Sequence, residues 1–386
     1  MKIKSISDKT VSIGAPIRNA VIDFSTMTIS VVKVETDQVR NGDPIVGYGF
    51  TSNGRYAQPG ILRDRIIPRL MNAAPGDLVA DDGGNLDPFK CWGVMMTNEK
   101  PGGHGERSVA VGAVDMALWD IVAKVEGVPL YRLLADRYNA GKADDGVNVY
   151  AAGGYYYPGA SHQKLKDEMR GYLDMGFVQT KMKIGGASLD EDIARIETAL
   201  DVVGDGQCLA VDANARFDTD TAIAYAEAIA PYNLRWYEEP VGVLDFQAHA
   251  EVKAASTAPI ATGENIFSFE DSRNLVRYAG LDPDTDLLQM DPVLSYGLVE
   301  YFRTLAMLQE HGWSARRCVP HGGHQFGLQL AAGLGLMGNE AYPGVFEPFG
   351  QFAPAVKLEN GRVTLTDDPG IGYESIPAIN AILQTL

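Results

Sequence analysis

Cysteine is scarce in this chain: Cys91, Cys208 and Cys318 are odd in number and far apart. A disulfide framework needs pairs at recurring spacings, so none is expected, and a reducing, cytoplasmic setting is the simplest one. Long apolar runs are missing as well. No stretch approaches the roughly 20 apolar residues of a bilayer-spanning helix. The opening nine residues carry charges throughout instead of a leader's apolar core. Positive charge is also short, with 33 Lys and Arg against 50 Asp and Glu and a formal net charge of −17. Nucleic acid requires a concentrated basic surface, so that class of partner is excluded, and no membrane contact is expected. An anionic small molecule stays open as a partner, provided the site gathers positive charge locally against the field of the whole protein.

What the chain does carry is a change of rhythm. Val-, Ile- and Thr-rich stretches at 2–13, 26–36 and 45–51 come first. A helix near 58–72, a loop-like segment over 73–104 and a long helix with an apolar stripe from Glu106 towards Val125 follow. Strands segregated from helices make an α+β unit, taken to span residues 1–140. From about residue 147, short apolar segments alternate with amphipathic helical ones: 147–152, 178–184, 208–212, 234–238, 259–264, 286–291, 315–321 and 345–347. Their spacing of about 25–30 residues is that of a βα unit, and eight such units close a parallel barrel. Helix starts are signalled between them, by Ser188 with Glu191, by Asp245 and by Ser268. An open doubly wound sheet is the alternative, but it usually carries a glycine-rich phosphate loop after an early strand, and none is present.

In a parallel barrel the chemistry sits where strands end. Asp212, Glu238 and Glu264 follow one another at intervals of 26 residues, which sets three carboxylates side by side on neighbouring strand ends. Such a trio repels itself unless a cation binds between its members. Oxygen ligands without His or Cys favour a hard ion, and Mg²⁺ is the common choice. The alternative is that each acid caps a helix or pairs with a surface lysine, which three acids in register make the minority view. Lys181 and Lys183 lie two apart on a strand and so share one face. Opposite apolar Val178, Met182 and Ile184, that face points into the barrel, where each lysine lowers the other's pKa towards that of a usable base. Asp291 and His321 end consecutive strands, and a carboxylate beside an imidazole fixes its tautomer and raises its pKa. His324, one turn on, reads as a helix-start residue.

Lys181-Met-Lys183, Asp212-Ala-Asn214, Glu238-Glu-Pro240, Gly263-Glu264-Asn265, Gln289-Met-Asp291 and Pro320-His321 together resemble the mandelate racemase group of the enolase superfamily. The likeness extends to Gly112–Asp120 and Gly127–Leu134, and so covers nearly the whole chain. It implies a modified TIM barrel, (β/α)₇β, over residues 141–354, beneath an α+β capping domain of residues 1–140 completed by about 355–386. By resemblance Asp212, Glu238 and Glu264 hold Mg²⁺. Lys183 is a general base tuned by Lys181, and His321 supported by Asp291 serves the opposite face. Asn214 and Glu347 would bind substrate, with Glu347 hydrogen-bonded to its carboxylate. The resemblance further implies a homo-oligomer acting on a small carboxylate. The reaction is either dehydration of an acid sugar to a 2-keto acid, with D-tartrate to oxaloacetate foremost, or racemisation of a 2-hydroxy acid by the same Lys/His pair. Asn53, Arg55 and Lys100 in lid loops are candidates for a second substrate carboxylate. Ordinary solvated loop charge is an equally good reading of each.

Overall fold

The structure, a computed structural model, describes every residue except Pro158. Three antiparallel strands, β1 (Ile3–Ser12), β2 (Thr28–Arg40) and β3 (Asp43–Phe50), form the lid sheet in the order β1-β2-β3. The helix Glu106–Glu126 packs across it and is buried on every side from Ser108 to Ala123. The apolar stripe expected of a surface helix is absent because this helix lies between the lid sheet and the barrel. Glycine makes both approaches possible. A Cβ on Gly49 would stand 2.1 Å from the Ala113 carbonyl oxygen, and one on Gly112 would stand 1.9 Å from that of Val293. Two buried acids on the helix satisfy backbone donors elsewhere: Asp115 accepts from Leu298 N at 2.6 Å, and Asp120 from Tyr48 N and Ile371 N. Burial pushes the Asp115 carboxyl up to about 8.

The second unit is a parallel barrel. Strands β4 (Val147–Gly153), β5 (Thr180–Lys183), β6 (Leu209–Asp212), β7 (Tyr237–Glu238), β8 (Ile260–Thr262) and β9 (Leu287–Leu288) pair in sequence order. The expected seventh strand shrinks to a bridge between Cys318 and Leu288, following a short 3₁₀ turn. The eighth is not 345–347 but β10 (Asn339–Ala341), which pairs with β4 and closes the barrel. The apolar Val345-Phe346 lies instead in the loop beyond, packing its side chains inward while Glu347 stays exposed. Among the described residues seven helices alternate with these strands, and β10 leads into a loop and the hairpin that follows rather than into an eighth barrel helix, which is the (β/α)₇β form. The next helix, Pro377–Leu383, lies near the C-terminus.

The C-terminal segment divides. The hairpin β11 (Lys357–Glu359) and β12 (Arg362–Thr364) adds to the barrel sheet beside β4, so residues 357–364 are not part of the lid. The chain reaches the lid from Gly370, which bridges Pro129, and Leu386 accepts from Lys33. Among the described residues the three cysteines are free, and no helix is long and apolar enough to cross a membrane.

Candidate active site

Strand alternation delivers the charged side chains. All four residues of β5 are buried, and Lys181 and Lys183 point to the barrel axis. In the parallel register Lys183 sits beside Asp212 and Asp212 beside Glu238, so the rim reads lysine, aspartate, glutamate across three adjacent strands. Glu264 lies two residues beyond Thr262, the last residue of β8, after Gly263. One oxygen each from Asp212, Glu238 and Glu264 lies within 4.8 Å of the others, close enough to share a cation.

The electrostatics of this trio are those of a crowded anionic cluster. Burial and the Asp212 charge push Glu238 up to about 8. Burial and Glu264 hold the adjacent Glu239 well above the carboxylate range. Asp212 moves the other way, to about 2, because Lys183 and Lys181 outweigh its burial. Lys183 donates to Asp212, and Lys181 donates to Glu238 at 2.5 Å and lies 2.8 Å from Glu340. Burial works against both ammonium groups, but Asp212 for Lys183 and Glu238 for Lys181 win, so both pKa values rise. The mutual lowering expected of the two lysines is therefore overcome by the acids. The remaining oxygens are fixed. Trp236 Nε1 and Gln289 Nε2 donate to Glu238 Oε2 at 2.7 and 2.8 Å, and Asn214 N donates to Asp212 Oδ1 at 2.8 Å.

On the other side of the trio stands His321, whose Nε2 lies 3.7 Å from Glu264. Its Nδ1 faces Asp291 Oδ2 and its Nε2 faces the Tyr342 hydroxyl, both at 3.1 Å. Tyr342 spends its own proton on Glu340 at 2.8 Å, so it accepts from the ring, and both ring nitrogens donate. The imidazolium fits. Burial alone would depress His321, but Glu264, the Asp291 hydrogen bond and Glu340 lift it to about 9. His324 is the N-cap of the helix Gln325–Leu334, as its position in the sequence suggests, with Nδ1 accepting from Gly327 N.

Lys183, Asn214, Glu264 and His321 line one cavity of about 480 Å³, roofed by Asn19, Phe24, Arg55 and Tyr56 of the lid. That volume suits a small metabolite. Arg55 stacks 5.1 Å over Phe267 and donates to the Gly54 carbonyl at 2.7 Å, with no carboxylate partner among the described residues. Asn53 is fully buried, donates to the Gly322 carbonyl at 2.6 Å and does not line the cavity. Lys100 does not reach it either. The turn around Lys100 is wrapped on Arg107, which takes the carbonyls of Lys100 and Gly102, and the Lys100 side chain opens on a separate pocket beside Trp92 and Tyr296. Glu347 is exposed and also outside. The acid that the last strand brings to the rim is Glu340, which sequence reasoning missed. A three-residue strand in a run of small residues carries little periodicity, and its one signal was a carboxylate following the glycine-rich stretch 333–338.

Two families match the chain: mandelate racemase / muconate lactonizing enzyme, N-terminal domain, over residues 3–135, and enolase C-terminal domain-like over residues 164–378. The L-talarate/galactarate dehydratase of Salmonella typhimurium is 28% identical over 93% of this chain and 85% of its own length. The 3,6-anhydro-alpha-L-galactonate cycloisomerase of Streptomyces coelicolor is 30% identical over 92% of this chain and 90% of its own. Among solved structures, a racemase from Streptomyces coelicolor A3(2) with bound magnesium shares the fold at a TM-score of 0.80 and 25% identity, covering 100% of this chain and 99% of that one.

Proposed function

The chain belongs to the mandelate racemase group of the enolase superfamily, and from that premise we propose that it is a Mg²⁺-dependent dehydratase of acid sugars. The observation that carries this reading is the placement of Lys183 and His321 in one cavity, at opposite ends of the Asp212, Glu238 and Glu264 cluster. The cluster fits a hard cation: its donors are all carboxylate oxygens, and its members raise one another's pKa in a way a cation relieves. Asp212, Glu238 and Glu264 would hold Mg²⁺, which would supply positive charge beside the substrate carboxylate and offset the Asp212 charge that keeps the Lys183 amine protonated.

Lys183 then takes the proton from the carbon beside the substrate carboxylate. His321, already doubly donating, gives a proton to the β-hydroxyl, which leaves as water. The enol so formed tautomerises to a 2-keto acid. Removal and donation from opposite ends make the elimination anti. Where no hydroxyl can leave, the same pair returns a proton from either side, which is racemisation.

The preferred substrate we propose is a dicarboxylate, with D-tartrate going to oxaloacetate. Its support is Arg55, a guanidinium in the cavity without a carboxylate partner, placed to take a second carboxylate. The test is 2-keto acid formation from a panel of diacid and monoacid sugars, with Mg²⁺ and after EDTA. Turnover of D-tartrate, lost with EDTA and restored by Mg²⁺, is expected. Turnover of monoacid sugars alone would overturn the diacid assignment. Full activity in metal-free protein would overturn the cation site.

A further inference from the structure

The turn Thr51–Gly54 descends from the lid sheet onto His321. A Cβ on Gly54 would lie 3.9 Å from His321 Cε1, and Asn53 donates to the carbonyl of Gly322, the residue after the histidine. Between these contacts sits Ser52, fully buried and held at φ +60°, a backbone conformation uncommon for a residue with a side chain. Its hydroxyl reaches across the domain boundary to Asp291 Oδ2 at 2.6 Å and lies 3.3 Å from His324 Nε2.

The direction of each hydrogen bond can be assigned. His324 Nδ1 accepts from Gly327 N, so the proton of the neutral ring is on Nε2, which donates to Ser52. Ser52 has one proton and gives it to Asp291 Oδ2, the oxygen that also receives His321 Nδ1. Asp291 Oδ1 is taken by the backbone of Val293 at 2.8 Å and Leu294 at 3.3 Å, so the carboxylate cannot turn. Gly322 completes the fit. A Cβ there would fall within 2.8 Å of Ser52 Oγ, Asp291 Oδ2 and His324 Nε2, so only glycine leaves the serine room to enter.

We infer that Ser52 is a positioning residue for the His321 acid: through Asp291 the lid holds the imidazolium in its donating orientation, so that His321 is a competent acid only when the lid is seated. The consequence for catalysis rests on the reading of His321 as proton donor to the departing hydroxyl. Lys183 is not touched by this network, since its partners are barrel residues.

The test compares Ser52→Gly, which removes the hydroxyl and the backbone strain together, with Ser52→Ala, which removes the hydroxyl alone. Both are run beside His321→Asn, with Mg²⁺ and D-tartrate in D₂O. Two rates are read by proton NMR: washout of the substrate α-proton, which reports Lys183, and 2-keto acid formation, which also needs His321. For both Ser52 variants elimination should fall roughly 10- to 100-fold while washout stays within about threefold. A parallel fall in both rates, as a general loss of structure gives, would overturn the inference, as would no change in either. Imidazole ¹⁵N spectra of the substrate-free protein provide an arm independent of the reaction. The His321 Nδ1–H signal should shift or broaden in both variants, and an unchanged signal overturns the positioning role. If the signal changes but His321→Asn still eliminates water, the positioning stands and the proposed role of His321 is what fails.

Discussion

The two ends of the cavity are built differently. At the β5 end, Lys181 and Lys183 are pinned by Asp212, Glu238 and Glu340, all supplied by the barrel. At the other end, His321 takes Asp291 and Tyr342 from the barrel, and Asp291 in turn takes Ser52 from the lid. One base is therefore set by strand register alone and the other by the meeting of two domains. A strand residue has little freedom once its ladder is formed, whereas a residue on a turn needs its neighbours to fix it. The same contrast recurs between the two histidines of that turn. His321 faces three carboxylates and is lifted to about 9, and His324, buried beside it, is pushed down to about 4.

The largest expected effect separates the two ends outright. Lys183→Ala should abolish α-proton washout and elimination together, by on the order of 10⁴-fold, whereas His321→Asn should lose elimination and keep washout within about tenfold. Equal loss of washout in both variants would mean that the two ends act as one base. Glu340→Gln comes next, because Glu340 joins the ends, contacting Lys181 at 2.8 Å and accepting from Tyr342 at 2.8 Å. It should lower kcat by roughly 10- to 100-fold with KM little changed, and unaltered kcat would remove Glu340 from the site.

Smaller, and separable by pH, is the stability held by the two histidines in metal-free protein. The folded-state pKa of His324 is depressed, so its contribution is present above the unfolded value of 6.5 and is lost as pH falls from there towards 4. His249, also buried and lowered to about 4, adds to the same window. His321 has the opposite sign. Its contribution is complete below 6.5 and is lost as pH rises through about 9. Urea unfolding at pH 7 and pH 5 should show roughly 2 kcal/mol less pH-dependent loss in His324→Gln than in the parent chain. An identical loss would place the acid-side sensitivity elsewhere. The smallest effects belong to Lys100→Ala and Glu347→Gln, whose side chains lie outside the cavity. Steady-state kcat/KM should stay within about twofold for both, and a larger drop in Lys100→Ala would mean that its turn closes over the substrate.

The rim was legible before the fold because it is made of recurring units. Acids 26 residues apart fall on adjacent strand ends whatever the details of each helix, and a Lys-x-Lys pair opposite apolar residues can face only one way. The last strand escaped notice because Asn339–Ala341 is too short for a period, while the apolar Val345-Phe346 mimicked one from a loop. The lid loops were illegible for another reason. Arg55, Asn53 and Lys100 are all polar residues in turns, and nothing in their order says that one faces the cavity, one is buried under it and one opens on a different pocket.

By itself, then, the sequence determined the barrel, the order of its rim groups and the need for a cation among its acids, because periodicity and like-charge repulsion act between residues whose relation is fixed by spacing. Only the tertiary structure decided which acid closes the rim, which lid residues roof the cavity and that Ser52 reaches Asp291 across 239 positions of chain. Those contacts depend on where one domain comes to rest on the other, and that is set by packing between distant surfaces such as Gly112 against Val293.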